Sequence, residues 1–356
     1  MSFKLTKHTS NAKTPVLYLA MCIFALSLIS ACSKHQQIKH DLDALEGRLQ
    51  DFTGISIKRP EPDLSLQLVS KSELKQDVPQ IQINMRDFYA VDDCPLGQLI
   101  AERNTALGKM QQASTRFDYE LRLLDTLQNC MQQMQSEHPV YPQMQSWLEQ
   151  KTDNLPLVYA NLMTQSDESY RAFSTAGDFI SGTKDDSFPA TKLALQHLSA
   201  ISPSAKQDET MQNTQQSAAN LALLEQHLQT LSNSKLPARM WRTQALLAQR
   251  LPPLSDLLKQ YLAQTQCSNK QDEEEIKIMR NIFKMFFADK IQPLGAQLNH
   301  YQYQLNPFFE AFSKDENLPA DFRRHIKMHS TESMQTYKTA MREHIETWQQ
   351  VFALCE

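Results

Sequence analysis

The amino-acid sequence predicts an all-α protein, a multi-helix bundle of antiparallel helical hairpins with an extended N-terminal arm. Glycine occurs only 7 times in 356 residues, far below the usual share of ~7%. The glycine-dependent turns of a strand-rich protein are therefore scarce. Apolar side chains recur at spacings of three and four residues through most of the chain, which is the period of an amphipathic helix.

Residues 1–31 have the features of a cleaved lipoprotein signal peptide. Three lysines precede an apolar stretch over residues 16–29, which is too short to span a bilayer comfortably. The stretch ends in Ile29-Ser30-Ala31-Cys32, which has the form of a lipobox: an aliphatic residue and two small residues before the cysteine that is acylated. We expect a lipid attachment at Cys32, with palmitate among its acyl chains. The alternative is an ordinary signal peptide with an incidental cysteine.

The residue after the lipid attachment site predicts whether the protein is sorted to the inner or the outer membrane. Ser33 follows Cys32, whereas Asp at this position would indicate retention in the inner membrane. We expect an outer-membrane lipoprotein that faces the periplasm and is anchored by acyl chains rather than by a spanning helix.

The charge balance excludes one class of partner. The signal lysines apart, 33 Lys and Arg stand against 40 Asp and Glu, a net charge of about −7. Nucleic-acid binding requires a basic surface, so we expect no nucleic-acid partner. We also expect no cofactor. The expected partners are the membrane and an envelope protein.

The mature chain divides into three predicted segments. Residues 32–54 carry the lipid anchor and a first helix that ends at Gly54, and residues 55–91 form an extended arm with one short strand near Ile81. Residues 92–356 form the bundle, with a division into two halves near 203–213. A first hairpin comprises a helix from Pro95, a turn at Gly108–Ser114 and a helix opened by a Thr115–Asp118 capping box. Further helices are predicted at about 141–172, 189–201, 214–232, 237–250, 253–266, 272–299, 303–312 and 319–354, with a break at Pro252-Pro253.

Four cysteines remain once Cys22 in the signal and Cys32 are set aside. An oxidising periplasm predicts two disulfides, for which three pairings exist. The two arms of the first hairpin are ~20 Å and ~22 Å long, so antiparallel packing brings Cys94 beside Cys130. Cys267 pairs with Cys355 by a similar argument on the long C-terminal helices. The alternative is four buried free thiols.

The same hairpin register predicts an ion pair. Arg103 falls on the apolar stripe of its helix, opposite Glu120, and an inward arginine needs such a partner. The alternative is a polar functional site at the hairpin, formed by Glu102, Arg103 and Asn104.

Other chemical patterns favour structural interpretations. His325 and His329 have the i, i+4 spacing of metal ligands but lack the adjacent glutamate of zinc proteases and a third ligand, since His344 does not suit the register. We expect solvated histidines and no metal site. The acidic run Asp272–Glu275 suits a helix N-terminus, and six phenylalanines between residues 283 and 312 suit a helical core, although a hydrophobic groove is an alternative. No nucleophile elbow or Walker loop occurs.

Several segments resemble a known family. CPLGQLIAERNTALGKM (94–110), YELRLL (119–124), Cys130, RNIFKMFFADKIQPLGAQL (280–298) and the lipobox start are similar to an uncharacterised lipoprotein family of Gram-negative bacteria, domain of unknown function 3080. The resemblance implies a helical, lipid-anchored envelope protein and transfers no catalytic residue.

These observations leave three function classes. The leading expectation is a non-enzymatic scaffold or adaptor for an envelope protein partner. A carrier or binding protein for an apolar ligand is the alternative, and an enzyme acting on envelope polymers is the third.

Overall fold

The computed structural model describes residues 36–61, 67–91, 94–174, 177–181, 187–204 and 217–355. The signal peptide, the lipobox and Cys32 lie outside these residues, so their predicted roles stay predictions. Within the described residues the fold is all-α and contains no β-strand, as the sequence predicts. None of the helices found there is long and apolar enough to cross a membrane.

Fifteen α-helices and two π-helical segments make up the described chain. The first eight helices are α1 (Gln37–Thr53), α2 (Lys71–Leu74), α3 (Met85–Ala90), α4 (Pro95–Asn104), α5 (Ala106–Lys109), α6 (Ala113–Gln133), α7 (Tyr141–Gln165) and α8 (Asp167–Phe173). The later helices are α9 (Phe188–Ala200), α10 (Ser217–Ser234), α11 (Leu236–Gln264), α12 (Lys270–Ile282), α13 (Gln292–Lys314), α14 (Ala320–Lys327) and α15 (Ser333–Ala353). The π-helical segments are Phe283–Ile291 and Met328–Glu332.

Helix α1 begins and ends where the sequence predicts. Gly54 adopts a φ of 71°, in the left-handed region, and its N–H donates to the carbonyl of Gln50. Glycine takes this conformation without steric cost, so it stops the helix. Leu42, Leu45 and Leu49 on one face of α1 are fully buried.

The arm is extended for most of its length, but the short strand predicted near Ile81 does not form. Residues 79–84 have no strand partner, and the chain enters α3 at Met85 instead. The helix begins there because the Asn84 side chain accepts a hydrogen bond from the N–H of Asp87 and caps it.

The first hairpin differs from its prediction in two details. Helix α4 ends at Asn104, and α5 follows after a break at Thr105. Helix α6 starts at Ala113 rather than at a Thr115–Asp118 capping box. Thr115 and Asp118 both lie inside α6, where the carboxylate of Asp118 accepts a hydrogen bond from Nε of Arg122.

Two helical segments that contain prolines are longer than the sequence predicts. Helix α11 continues through Pro252-Pro253, where the sequence predicts a break. Leu251 and Leu254 on either side are fully buried, and this burial outweighs the hydrogen bonds that two prolines remove. The predicted helices 272–299 and 303–312 form one continuous helical segment from Lys270 to Lys314, whose π-helical part ends just before Pro293.

One predicted helix is divided in two. The segment 141–172 breaks at Ser166. Ser166 has extended backbone, and its hydroxyl accepts a hydrogen bond from the N–H of Ser169. It therefore ends α7 and caps α8.

The buried residues form two hydrophobic cores. The larger core contains residues of α1 and of most helices from α7 onwards, with Trp241 and Trp348 fully buried in it. The smaller core lies between α4, α6 and the first half of α7. Leu195 of α9 and Leu228 of α10 belong to the same larger core. The predicted division near 203–213 falls on a segment that is largely outside the described residues, and it stays a prediction.

Both predicted disulfides are present. Cys94 is bonded to Cys130 with Cα atoms 6.1 Å apart, and Cys267 is bonded to Cys355 with Cα atoms 5.4 Å apart. The first bridge closes the open end of the α4–α6 hairpin, and the second ties the end of α15 to the loop before α12.

We expect each disulfide to stabilise the fold substantially. The bonded cysteines are separated by 36 and 88 residues, and loops of these lengths correspond to about 4 kcal/mol each in the chain-entropy account. Urea unfolding of C94S/C130S and of C267S/C355S should show losses of this size. A thiol reagent should label none of these four cysteines in the non-reduced protein, and labelling of two or more would contradict the pairing.

Candidate functional site

A cleft of about 670 Å³ opens between the first hairpin, helix α7 and the arm. One wall is apolar, with Trp147 of α7 and aliphatic side chains of the arm, α4 and α6. The other wall is basic. The lining residues are Gln80, Ile81, Gln82, Ile83, Leu96, Ile100, Arg103, Asn104, Lys109, Arg116, Tyr119, Leu123, Leu127, Trp147 and Lys151.

The arm forms one side of the cleft because α7 holds it in place. The Asn161 side chain accepts a hydrogen bond from the N–H of Gln76 at 2.9 Å and donates one to its carbonyl at 2.7 Å. Closer to the cleft, Asn154 donates to the carbonyl of Pro79. Ile81 and Ile83 then pack against the smaller core.

A buried carboxylate lies beneath the basic wall. Glu120 of α6 is 1% exposed, and both Arg116, one turn earlier on α6, and Lys151 of α7 contact it. The Nζ atom of Lys151 lies 3.0 Å from Oε2 of Glu120. A buried carboxylate requires such partners, because an isolated charge in the interior costs several kcal/mol.

The prediction of an ion pair between Arg103 and Glu120 is wrong. Arg103 lies in the last turn of α4, and its guanidinium donates to the carbonyl of Gly108 just beyond the helix. Glu120 already has two cationic partners, one of them Lys151 from a helix that the register argument did not consider. Arg103 and Glu120 are near enough to interact electrostatically without forming a salt bridge.

Arg103 is a half-buried cation whose hydrogen-bond donors are only partly satisfied. Its buried Nε atom has no hydrogen-bond partner. Burial lowers the pKa of Arg103, and the like charge of Arg116 lowers this pKa further. Of the three residues in the polar alternative, Arg103 and Asn104 line the cleft and Glu102 does not.

Two further residues that line the cleft, Lys151 and Tyr119, have shifted pKa values. Burial lowers the pKa of Lys151, and Glu120 opposes this shift. Burial also raises the pKa of Tyr119 to about 12, and the charge of Glu120 acts in the same direction. At neutral pH the cleft therefore presents a neutral phenol beside its cations.

Gly108 has a steric role at the basic end. A Cβ atom at this position would lie 2.7 Å from the carbonyl oxygen of Arg103 and even closer to that of Glu102. No side chain fits there. Because only glycine allows this approach, the Gly108 carbonyl can come within reach of the Arg103 guanidinium.

The two histidines with metal-like spacing lie in the larger core, not in solvent as predicted. His325 is 4% exposed and His329 is fully buried, and the His329 ring stacks on Trp241. Nε2 of His325 donates to the carbonyl of Phe173 at 2.8 Å. Helix α14 turns this face inwards because Phe322 and Ile326 lie on the same side and are fully buried.

His344 also has a structural role. The indole N–H of Trp348 donates to Nε2 of His344, so Nδ1 carries the proton and donates to the hydroxyl of Ser255 at 3.0 Å. Both ring nitrogens are occupied by protein partners. Among the described residues, no group of three or more His, Cys, Asp or Glu is placed to hold a metal ion.

The remaining candidates are structural. Asp272 caps its own helix, because its carboxylate accepts hydrogen bonds from the N–H groups of Ser268 and Asn269. In the phenylalanine cluster, Phe287, Phe309 and Phe312 are buried in the larger core. These three rings belong to the core, as the sequence predicts, and do not line a hydrophobic groove.

Sequence reasoning missed three of the cleft's central residues: Arg116, Trp147 and Lys151. A signal for two of them was present. Trp147 and Lys151 have an i, i+4 spacing, so they share one face of α7, and the lysine interrupts an apolar stripe. The sequence predicts an extended arm that lies across the helices, but no pattern in it indicates that the arm lies along α7 and completes the cleft.

The fold and the cleft together define an all-α, disulfide-bridged protein with a ligand-sized cleft that is apolar at one end and basic at the other. The family described as Protein of unknown function (DUF3080) matches residues 42–356, and the chain belongs to it. No curated protein and no solved structure gives a match.

The buried histidines predict that the fold loses stability in acid. Burial lowers the pKa of His325 to about 4 from its usual 6.5. As the pH falls below about 6.5, the unfolded chain binds a proton here while the folded chain does not, so stability falls until the pH reaches about 4. Between about pH 7 and pH 5 the expected loss from His325 is about 2 kcal/mol.

The variant H325Q removes this proton linkage. Urea unfolding across this pH range should show a shallower loss of stability in H325Q than in the natural protein. His40 is exposed on α1, and H40Q is the matched control that keeps the natural slope. Equal slopes in H325Q and the natural protein would contradict the assignment.

Proposed function

We propose that this protein is a lipid-anchored binding protein of the Gram-negative envelope that holds an apolar ligand in the cleft between the arm and the first hairpin. The observation that carries the proposal is the cleft itself, a space of about 670 Å³ with an apolar wall of Trp147 and aliphatic side chains. Concave sites of this size with apolar side chains and a few convergent polar groups are typical of small-molecule binding.

The anchor part of the proposal rests on the sequence before the described residues. The lipobox ending in Cys32 supports acylation, and Ser33 supports the outer membrane and its periplasmic face. Two disulfides in the folded body are consistent with an oxidising compartment.

A scaffold or adaptor for a protein partner is the second candidate. Met85 and Met110 are 63% and 85% exposed, and each lies within two residues of a residue that lines the cleft. Exposed methionines suit adaptable protein contacts. The enzyme alternative gains no comparable support, because none of the described lining residues is Asp, Glu or His.

Acylation at Cys32 predicts a specific labelling pattern. Cells fed an alkyne-bearing palmitate analogue should label the natural protein and the variant C22S, which removes the other cysteine of the first 32 residues. The variant C32S should remain unlabelled. Membrane fractionation should place the natural protein in the outer membrane and S33D in the inner membrane. Label retained in C32S would contradict the anchor.

Apolar binding is tested on the mature chain released into the periplasm as residues 33–356, which retains every described residue. The neutral fluorescent probe N-phenyl-1-naphthylamine should bind saturably. The variant I100D places a charge on the cleft wall and should weaken binding by about tenfold or more. The control I278D alters an isoleucine that is 46% exposed on α12 and should bind normally.

Absence of saturable probe binding in the natural protein would remove the proposal, as would equal binding by I100D and the natural protein. Circular dichroism confirms that each variant is folded. Release of bound probe by an envelope protein, without displacement by any lipid, would favour the adaptor alternative.

A further inference from the structure

The cleft changes from apolar to basic along the axis of α4. Leu96 and Ile100 line it in the first two turns, next to the Cys94–Cys130 disulfide, and Arg103 lines it in the last turn. These residues are spaced by four and three positions, so they lie on one face of the helix. The end of the cleft near the hairpin turn is therefore basic, and the end near the disulfide is apolar.

The other two helices show the same order. Helix α6 runs back from the hairpin turn, and it lines the cleft with Arg116 first and with Leu123 and Leu127 later. On α7, Trp147 lies one turn nearer the disulfide than Lys151, which contacts Glu120. From Arg116 to Leu127 is a distance of about 16 Å along α6. Three helices thus give the cleft one common polarity.

Positive charge is in excess at the basic end. Arg103, Arg116 and Lys151 line the cleft there, and Glu120 below them neutralises only one charge. Lys109 adds a further cation at the rim. No described lining residue carries a negative charge, although acidic residues outnumber basic ones in the protein as a whole.

Arg103 has the most unused capacity to bind a ligand. Its guanidinium donates to a neutral carbonyl and forms no salt bridge with any described residue, and its buried Nε has no partner. An unsatisfied buried donor is costly, and an arginine fork matches carboxylate and phosphate oxygens. The lowered pKa values of Arg103 and Lys151 agree with cations that lack full compensation.

We infer that the ligand of this cleft is an amphiphile whose anionic head group, a carboxylate or a phosphate, binds Arg103 beside Arg116 and Lys151. Its alkyl chain lies along the half-buried Ile81, Ile83 and Ile100. These side chains cover the buried Leu96, Leu123, Leu127 and Trp147 of the same wall. This inference rests on the proposed function and adds the chemistry of the ligand. The head group supplies the negative charge that the basic wall lacks, and the alkyl chain covers the apolar wall.

The probes are four ligands with the same alkyl chain: decanoate, decyl phosphate, decanol and decyltrimethylammonium, each used below its micelle concentration. Trp147 reports binding by its fluorescence, because it lines the cleft, whereas Trp241 and Trp348, the other two tryptophans, lie in the larger core. The variant W147F should lose the signal. We expect the anions to bind at least about tenfold more tightly than decanol, and the cation to bind most weakly.

The variant R103Q removes a cation that takes part in no salt bridge with the described residues. It should weaken binding of the preferred anion by about tenfold or more and change decanol binding by less than about twofold. The control is R342Q, which alters an arginine whose side chain is 64% exposed on α15, and it should bind all probes normally. If circular dichroism shows R103Q unfolded, a salt series on the natural protein decides. Added salt should weaken anion binding and leave decanol binding unchanged.

The outcomes separate the inference from the function on which it rests. Equal affinity for anions and decanol, or anion binding unaffected by R103Q and by salt, would overturn the anionic head group and leave the apolar cleft intact. Failure of all four probes and of the neutral naphthylamine would remove the proposed function as well. Preference for decanoate or for decyl phosphate identifies the head group as carboxylate or phosphate.

Discussion

The carboxylate of Glu120 is buried between α6 and α7, where Arg116 and Lys151 both contact it. This interaction fixes how the two helices pack, because removing either helix's cation would leave a charge poorly compensated in the interior. It also sets the electrostatics of the cleft. The single negative charge of Glu120 is shared by Arg116 and Lys151, and Glu120 forms no salt bridge with Arg103. The basic wall therefore keeps an excess of positive charge in a protein that is acidic as a whole. The packing of the hairpin and its capacity to bind an anion therefore have the same origin.

Two buried histidines of the larger core are held by hydrogen bonds rather than by ion pairs. His344 is fully buried as a neutral imidazole between Trp348 and Ser255, with both ring nitrogens hydrogen-bonded. Nε2 of His325 donates to a main-chain carbonyl, and its ring packs against Trp241. A neutral group with partners costs little to bury, so the His344 imidazole needs no compensating charge. Around Glu120, by contrast, two cations contact one carboxylate.

The sequence predicts the class of fold and both disulfides because these depend on local periodicity and helix length. The predicted arms from the turn to Cys94 and to Cys130 are ~20 Å and ~22 Å long, so helical rise is enough to predict their pairing. The ion pair between Arg103 and Glu120 fails for the opposite reason. It assumes that only the two helices of one hairpin compete for Glu120, whereas Lys151 arrives from a third helix that no periodicity places there. The continuity of α11 through two prolines and the cleft wall supplied by the arm were equally beyond prediction, because packing between distant segments decides both.

Helix α7 contributes to both hydrophobic cores, since Trp147 belongs to the smaller core and Tyr159 to the larger one. Pro156 stands between these two parts inside the helix. Its nitrogen carries no hydrogen, so the carbonyl of Thr152 lacks the main-chain partner that an uninterrupted helix would supply. Bending stiffness is lowest where a helix lacks such a hydrogen bond. The stretch from Thr152 to Pro156 is therefore the least stiff part of α7, and it lies where the helix passes from the smaller core to the larger one.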